Sequence, residues 1–263
     1  MTSEGTSQQV FLGTSALLFV GSAALTAAWC ASMSKMGGMP MPGGWTMSMT
    51  WMRMPEQSWA EAAASFLGMW VVMMVAMMMP SLVPALWRYR QGMRRTGEVR
   101  LARLTALAGF GYFFVWTVIG AAAFALGVAL AGAEMESPAL AGDIPVVAGV
   151  VILFAGMLQF TTWKTHHLAC WRRAQTHHCT LPANAGTAWQ YGLRLGIRCS
   201  YGCAGLTAVL LAVGVMDLRA MAFVTAAITA ERLAPAGDRV AQAVGALVVG
   251  AGLLLIAQAV GLR

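Results

Sequence analysis

Seven apolar stretches, most of them about 20 residues long, follow one another along the chain with polar connections between them. About 20 residues of helix are needed to cross roughly 30 Å of hydrocarbon, so such a stretch has the length of a membrane crossing. They run Val10 to Ala31, Phe66 to Trp87, Leu104 to Ala131, Ile144 to Trp163, Leu195 to Val215, Leu218 to Arg232 and Val240 to Leu262. Composition agrees. Of 263 residues, 59% are hydrophobic and 10% charged, whereas a soluble domain carries about 25% charged residues. That leaves too little polar surface to cover a globule in water. The expected fold is an all-α polytopic transmembrane helical bundle, one membrane domain over residues 1–263, with the lipid bilayer as its solvent. The sixth stretch, at about 15 residues, is below the usual spanning length. As a re-entrant half-helix it would leave six spans instead of seven.

Charge orients the bundle. Cytoplasmic loops carry an excess of Lys and Arg. With seven spans and the N-terminus inside, thirteen of the 17 basic residues fall on the inner side. They are Arg88, Arg90, Arg94, Arg95, Arg100, Arg103, Lys164, Arg172, Arg173, Arg194, Arg198, Arg232 and Arg239. Lys35, Arg53, Arg219 and Arg263 fall outside, and the loop with Glu134, Glu136 and Asp143 is acidic. The expectation is a multi-pass protein of a bacterial-type inner or cell membrane, N-terminus cytoplasmic and C-terminus outside. The net charge of +7 is then a topogenic signal, not a nucleic-acid footprint, because the arginines sit close to span ends. Met1 to Gln9 has no positive n-region, and Ala28-Trp29-Cys30 is no small-residue cleavage site. The first span therefore reads as an uncleaved anchor.

Two connections stand out. Residues 32–58, on the outer side, hold Met33, Met36, Met39, Met41, Met47, Met49, Met52 and Met54 among prolines and glycines that argue against regular structure. The second span adds Met69, Met73, Met74, Met77, Met78 and Met79, so 14 of the 20 methionines lie between Met33 and Met79. Thioether sulfur is a soft donor that selects Cu(I) and needs no deprotonation. Met69, Met73 and Met77 recur every four residues, as do Met74 and Met78, which stacks sulfurs along a helix face. A soft ion captured by the outer loop has a route inward along them. The bland alternatives are methionine as flexible apolar filler and, given Trp45, Trp51 and Trp59, a loop lying on the membrane surface.

The second connection, residues 164–194 on the inner side, holds every histidine. His166, His167, Cys170, His177, His178 and Cys179, followed by Cys199 and Cys203, place four of four histidines and four of five cysteines within 38 residues. Imidazole and thiolate are ligands of Cu(I) and Zn(II). His166 and Cys170 are four apart, as are Cys199 and Cys203, so each pair shares a face if helical. Three short segments are then expected to meet at the inner mouth of the bundle. Disulfides are the competing reading, disfavoured on a cytoplasmic face. Gly192 and Gly196 form a small-xxx-small pair suited to close helix approach.

With these residues in view, the chain resembles a family of predicted metal-binding integral membrane proteins, some of whose members are labelled copper chaperones. The resemblance runs from about Trp70 to Gln258. It rests on Met69-Trp70-Val71-Val72-Met73-Met74-Val75-Ala76-Met77-Met78-Met79-Pro80-Ser81 and on Lys164 followed by Cys170. It rests also on Gly196 through Cys199 to Gly202-Cys203, and on Gly214-Val215-Met216-Asp217-Leu218 with Met221 and Glu231. It implies membrane location and metal binding. Where related chains carry a further cysteine near Cys170, this one has His166 and His167.

Glu231 and Gln159 are the polar intramembrane candidates. Glu231 lies near a span end, where anchoring or snorkelling is the ordinary role, and Gln159, near the end of the fourth span, suits a hydrogen bond between helices. There is no Gly-Lys-Ser/Thr phosphate loop and hence no ATP motor in this chain. No histidine lies mid-span to hold a haem. Three functions stay open: a protein that transfers or chaperones Cu(I), with zinc as the other metal; a metal-bearing subunit of a membrane metalloenzyme; and a metal-free structural or assembly subunit. The first two call for a metallochaperone or a membrane-complex partner.

Overall fold

The computed structural model describes residues 2–36, 39–40, 45–47, 51, 53, 56–93, 97–176 and 184–261. These form α1 (Thr2–Met36), α2 (Trp59–Gly92), α3 (Glu98–Glu136), α4 (Pro138–Leu158), α5 (Thr162–Thr176), α6 (Ala185–Val213), α7 (Leu218–Leu233) and α8 (Gly237–Gly261). Between α1 and α2, β1 (Met39–Pro40) pairs antiparallel with β2 (Thr46–Met47), Met39 opposite Met47. The protein is all-helical in class. Six segments, Ser7–Met33, Trp59–Gly92, Glu98–Glu136, Ala141–Leu158, Ala185–Val213 and Gly237–Gly261, are long and apolar enough to cross a membrane. Large apolar side chains such as Leu17, Phe110 and Leu254 face outward, as lipid contact requires.

Contacts fix the direction of each helix. Arg90 Nη2 donates to Ser7 Oγ at 2.9 Å and Phe11 lies against Trp87, so α1 and α2 are antiparallel. Trp70 Nε1 donates to the Trp116 carbonyl at 2.8 Å while Phe66 meets Phe124, so α2 and α3 are antiparallel as well. The expected small-residue approach is present: Gly192 lies against the Ala108 carbonyl and Gly196 against that of Tyr112, which makes α3 and α6 parallel. A Cβ at Gly192 would fall on the Ala108 carbonyl oxygen. Gly149 and Gly156 of α4 meet Gly252 and Gly245 of α8 in antiparallel order, so two helices without bulky side chains at the seam come close enough for backbone contact.

Gly205 of α6 lies against Ala155 of α4 while Lys164, beyond α4, reaches Gly202, so α4 runs against α6 as it does against α8. α6 and α8 run the same way, and α7 is the return between them. α6 ends on Gly214, whose φ of +133° suits a residue without a Cβ. Met216 then meets Cys30 near the end of α1, and Asp217 caps α7 by accepting from the Arg219 and Ala220 amides. At its other end Arg232 reaches Ser81 and Cys199. Its 16 residues span about 24 Å at 1.5 Å per residue, short of the usual crossing. It therefore falls outside the six long segments, and it runs along the bundle from the level of Cys30 to that of Ser81.

Two boundaries differ from the sequence expectation. The fourth stretch, read as continuous from Ile144 to Trp163, is broken: α4 stops at Leu158 and α5 starts at Thr162. Gln159, Phe160 and Thr161 each donate to the carbonyl three residues back, the tightened geometry that closes a helix end. Residues 164–194 are also not simply a connection, since α5 reaches Thr176 and α6 begins at Ala185. Asn184 caps α6 by accepting from the Thr187 amide at 2.8 Å.

Candidate metal centre

α2 carries Met73, Met74, Met77, Met78 and Met79 into the core, all buried, with Met69 packed at its edge. Pro80 and Pro84 interrupt the hydrogen-bond ladder of this helix, because proline brings no amide donor. The loosened turn lies beside Met78 and Ser81. Among the described residues, Met78 is the α2 methionine whose thioether meets a thiol: Cys199 Sγ lies 3.9 Å from Met78 Sδ. Cys203 stands one turn along α6, its sulfur also 3.9 Å from that of Cys199. Cys203 donates back to the Cys199 carbonyl at 2.8 Å, the ordinary contact of a small polar side chain with the preceding turn.

The three sulfurs are set deep. Cys199 stands midway along α6 and Met78 just past the middle of α2. Cys199, Cys203, Met78, Tyr112 and Ser81 are each exposed by 1% or less, which excludes bulk water from the cluster. Metal–thiolate bonds of about 2.3 Å reach across sulfurs at this spacing, and two thiolates with a thioether make a soft set of the kind that holds Cu(I).

Polar groups converge on the same sulfur. Tyr112 Oη lies 2.8 Å from Cys199 Sγ. Arg232 Nη2 lies 3.1 Å from that sulfur and 3.2 Å from the Cys199 carbonyl, while Nη1 donates to Ser81 Oγ at 3.0 Å. Trp171 of α5 covers the guanidinium, its ring centroid 4.2 Å from Arg232 Cζ. Beside Arg232, Glu231 is paired with Lys164 at 2.7 Å, both buried. Lys164 also donates to the Gly202 carbonyl at 2.7 Å, and Gln159 Nε2 to Glu231 Oε1 at 3.1 Å. Residues 231 and 232 thus join α2, the α4–α5 break, α5 and α6 around the sulfurs. Gln159 makes the interhelical hydrogen bond expected of it, whereas Glu231 is not an interfacial anchor and Lys164 and Arg232 are not loop charges; a short α7 that ends inside the bundle brings them together.

The described histidines and cysteines, His166, His167, Cys170, Cys199 and Cys203 with Cys30, do not collect into a single centre. Among the described residues no three of His, Cys, Asp and Glu converge on one point. His166 and Cys170 form a pair on α5, Cys170 Sγ 3.4 Å from His166 Nε2. His167 instead stacks on Tyr201, 5.6 Å between ring centroids, and on the edge of Trp163. Tyr201 lies two residues from both Cys199 and Cys203, on the opposite side of α6. Among the described residues the expected site is divided between a buried sulfur cluster on α6 and a His/Cys pair on α5, the third segment lying outside them. Cys30, Cys170, Cys199 and Cys203 are free thiols.

His177, His178 and Cys179 lie outside the described residues, as do Met41, Met49, Met52 and Met54. Met33 is half-buried near the end of α1, Met36 ends that helix, and Met39 and Met47 belong to the two-strand ladder. The tryptophans of this segment dock on the bundle. Trp45 Nε1 donates to the Ala141 carbonyl at 2.8 Å, and Trp51 packs on Phe66. At the same end Cys30 Sγ lies 3.8 Å from Met216 Sδ. Sequence reading passed over Tyr112, Arg232, Ser81 and Cys30, since none carries a spacing signal for ligation.

No curated protein and no solved structure matches the chain. A family model described as PpoB2: Copper chaperone matches residues 67–255, from the first turns of α2 to late α8. This stretch holds the three sulfurs and every polar group around them, and it leaves α1 and the methionine-rich segment outside. Matched over well more than half its length, the chain belongs to the PpoB2 copper chaperone family.

Proposed function

We propose that this copper-handling protein carries Cu(I) across or within the membrane, and that Met78, Cys199 and Cys203 are its buried way-station. The observation that carries the reading is three sulfurs on two helices, that of Cys199 lying 3.9 Å from each of the other two, sealed from water at mid-bundle. Cysteine and methionine alone would pack as apolar residues, but a guanidinium held against a thiol in a dry interior has no packing rationale, since an apolar residue there would cost less. The donor chemistry selects a soft ion over calcium or magnesium.

The ends of the bundle supply the rest of the reading. The methionine-rich segment and the Cys30–Met216 contact share one end, and the arginines of α2 and α3 share the other. By the positive-inside rule the methionine end faces outward. Cu(I) is collected there, passes along the buried methionines of α2 to the sulfur cluster, and leaves through the His166–Cys170 pair of α5. Cu(I) thioether and thiolate complexes exchange by swapping one donor for the next, so no redox step is needed.

The test is metal content with transport. Wild-type protein purified in detergent from cells grown with copper and zinc is expected to retain copper, and the C199S/C203S double variant to lose it. In proteoliposomes the wild type is expected to move Cu(I) to an entrapped Cu(I) chelator, and the double variant to fail. A wild type that binds neither metal overturns the reading, and copper content untouched in C199S/C203S overturns the site.

A further inference from the structure

We infer that Arg232 makes the sulfur cluster selective for monovalent soft ions over divalent ones. The inference rests on the reading that Met78, Cys199 and Cys203 hold the metal. Bound cysteine is thiolate and methionine is neutral, so the donor set carries two negative charges. Arg232 brings one positive charge against the same sulfur, 3.1 Å from Cys199 Sγ. One monovalent ion therefore leaves the cluster neutral, and one divalent ion leaves it with a net positive charge.

In a cluster almost wholly screened from water that difference is not absorbed by solvent, because an unbalanced buried charge finds no compensating reorganisation. Among the described groups in contact with the cluster, none restores the balance. The adjacent Lys164–Glu231 pair is internally neutral at 2.7 Å, and Ser81 and Tyr112 are uncharged. The guanidinium also has no room to withdraw. It is held by Ser81 Oγ and the Cys199 carbonyl and covered by Trp171. Softness alone separates Cu(I) from hard cations but not from cadmium, which thiolates also bind. Fixed charge separates those two.

The experiment uses the full chain in detergent or nanodiscs with Ag(I) and Cd(II) as probes, two soft ions that differ in charge. Wild type is expected to take one Ag(I) at Cys199/Cys203 and to bind Cd(II) far more weakly, read by the thiolate-to-cadmium absorption band. In R232M the Ag(I)/Cd(II) affinity ratio is expected to fall at least about tenfold as the buried positive charge is removed, with a gain in the cadmium band that lost packing alone would not produce. R232K is expected to keep the wild-type preference. Should R232M fail to fold, S81D poses the same question, since its carboxylate neutralises the guanidinium with every sulfur in place. An unchanged ratio in R232M, or in S81D where R232M does not fold, overturns the inference and leaves the sulfur site standing. A wild type that binds neither probe refutes the sulfur site itself.

Discussion

Cys199 gathers more contacts than any other side chain of the centre: the Met78 thioether, the Cys203 thiol, the Tyr112 hydroxyl and the Arg232 guanidinium. A hydroxyl at 2.8 Å orients the sulfur and stabilises charge on it. Removing such a partner usually costs about 10- to 100-fold in metal affinity. Y112F is expected to weaken Cu(I) binding on that scale with the fold intact, measured by competition with a colorimetric Cu(I) chelator. M78L keeps apolar volume and removes the thioether, so it is expected to lose affinity by about tenfold or more. M77L, changed in the same buried helix, is expected to bind like wild type. Equal effects of M77L and M78L would argue that the methionines act as packing only. Cys199, Cys203 and Met78 were legible in the sequence because sulfur announces itself by type. Tyr112 and Arg232 were not, since an aromatic in a span reads as lipid-facing bulk and an arginine near a span end reads as a topogenic charge.

The elements that frame the centre are the two that depart from simple crossings, the α4–α5 break and the short α7. Glu231 on α7 pairs with Lys164 on α5, just beyond the break, and Gln159 in the break donates to the same carboxylate. Breaking a buried ion pair by removing one partner strands the other charge and costs about 3–5 kcal/mol. K164M is expected to destabilise the protein on that scale, and K164M/E231L to recover much of the loss, as measured by unfolding in mixed micelles. If K164M matches wild type, the pair does not fasten α5 to α7. The six long segments were readable from length and composition because hydrocarbon thickness imposes both. α5 was not, because a search for long apolar runs passes over an amphipathic helix. Its buried residues Lys164, Leu168 and Trp171 recur at i, i+4 and i+7, the pattern of one helix face, and the lysine among them hid the pattern.

At the scale of the molecule, the direction of α7 decides which face each part of the chain meets. A 16-residue helix read by length alone is equally a re-entrant hairpin, which would return Asp217 and Ala236 to one side of the membrane. Packing argues otherwise. α3 and α6 are parallel, α4 and α8 are antiparallel, and Met216 and Arg232 lie at separated levels of the bundle. α7 can be short because it is shielded by protein: Met221, Val224, Ala227, Ile228, Glu231 and Arg232 are buried, so its ends need not reach both lipid interfaces. Arg219 and Ala236 are exposed near its two ends and permit a direct test. In a C170S/C179S background, R219C is expected to react with a membrane-impermeant maleimide from the same side as W59C, and A236C only from the opposite side. Labelling of R219C and A236C from one side would make α7 re-entrant. The Cys30–Met216 contact and the His166–Cys170 pair would then no longer be assigned to opposite faces, and inward transfer of an ion between them would lose its geometric basis.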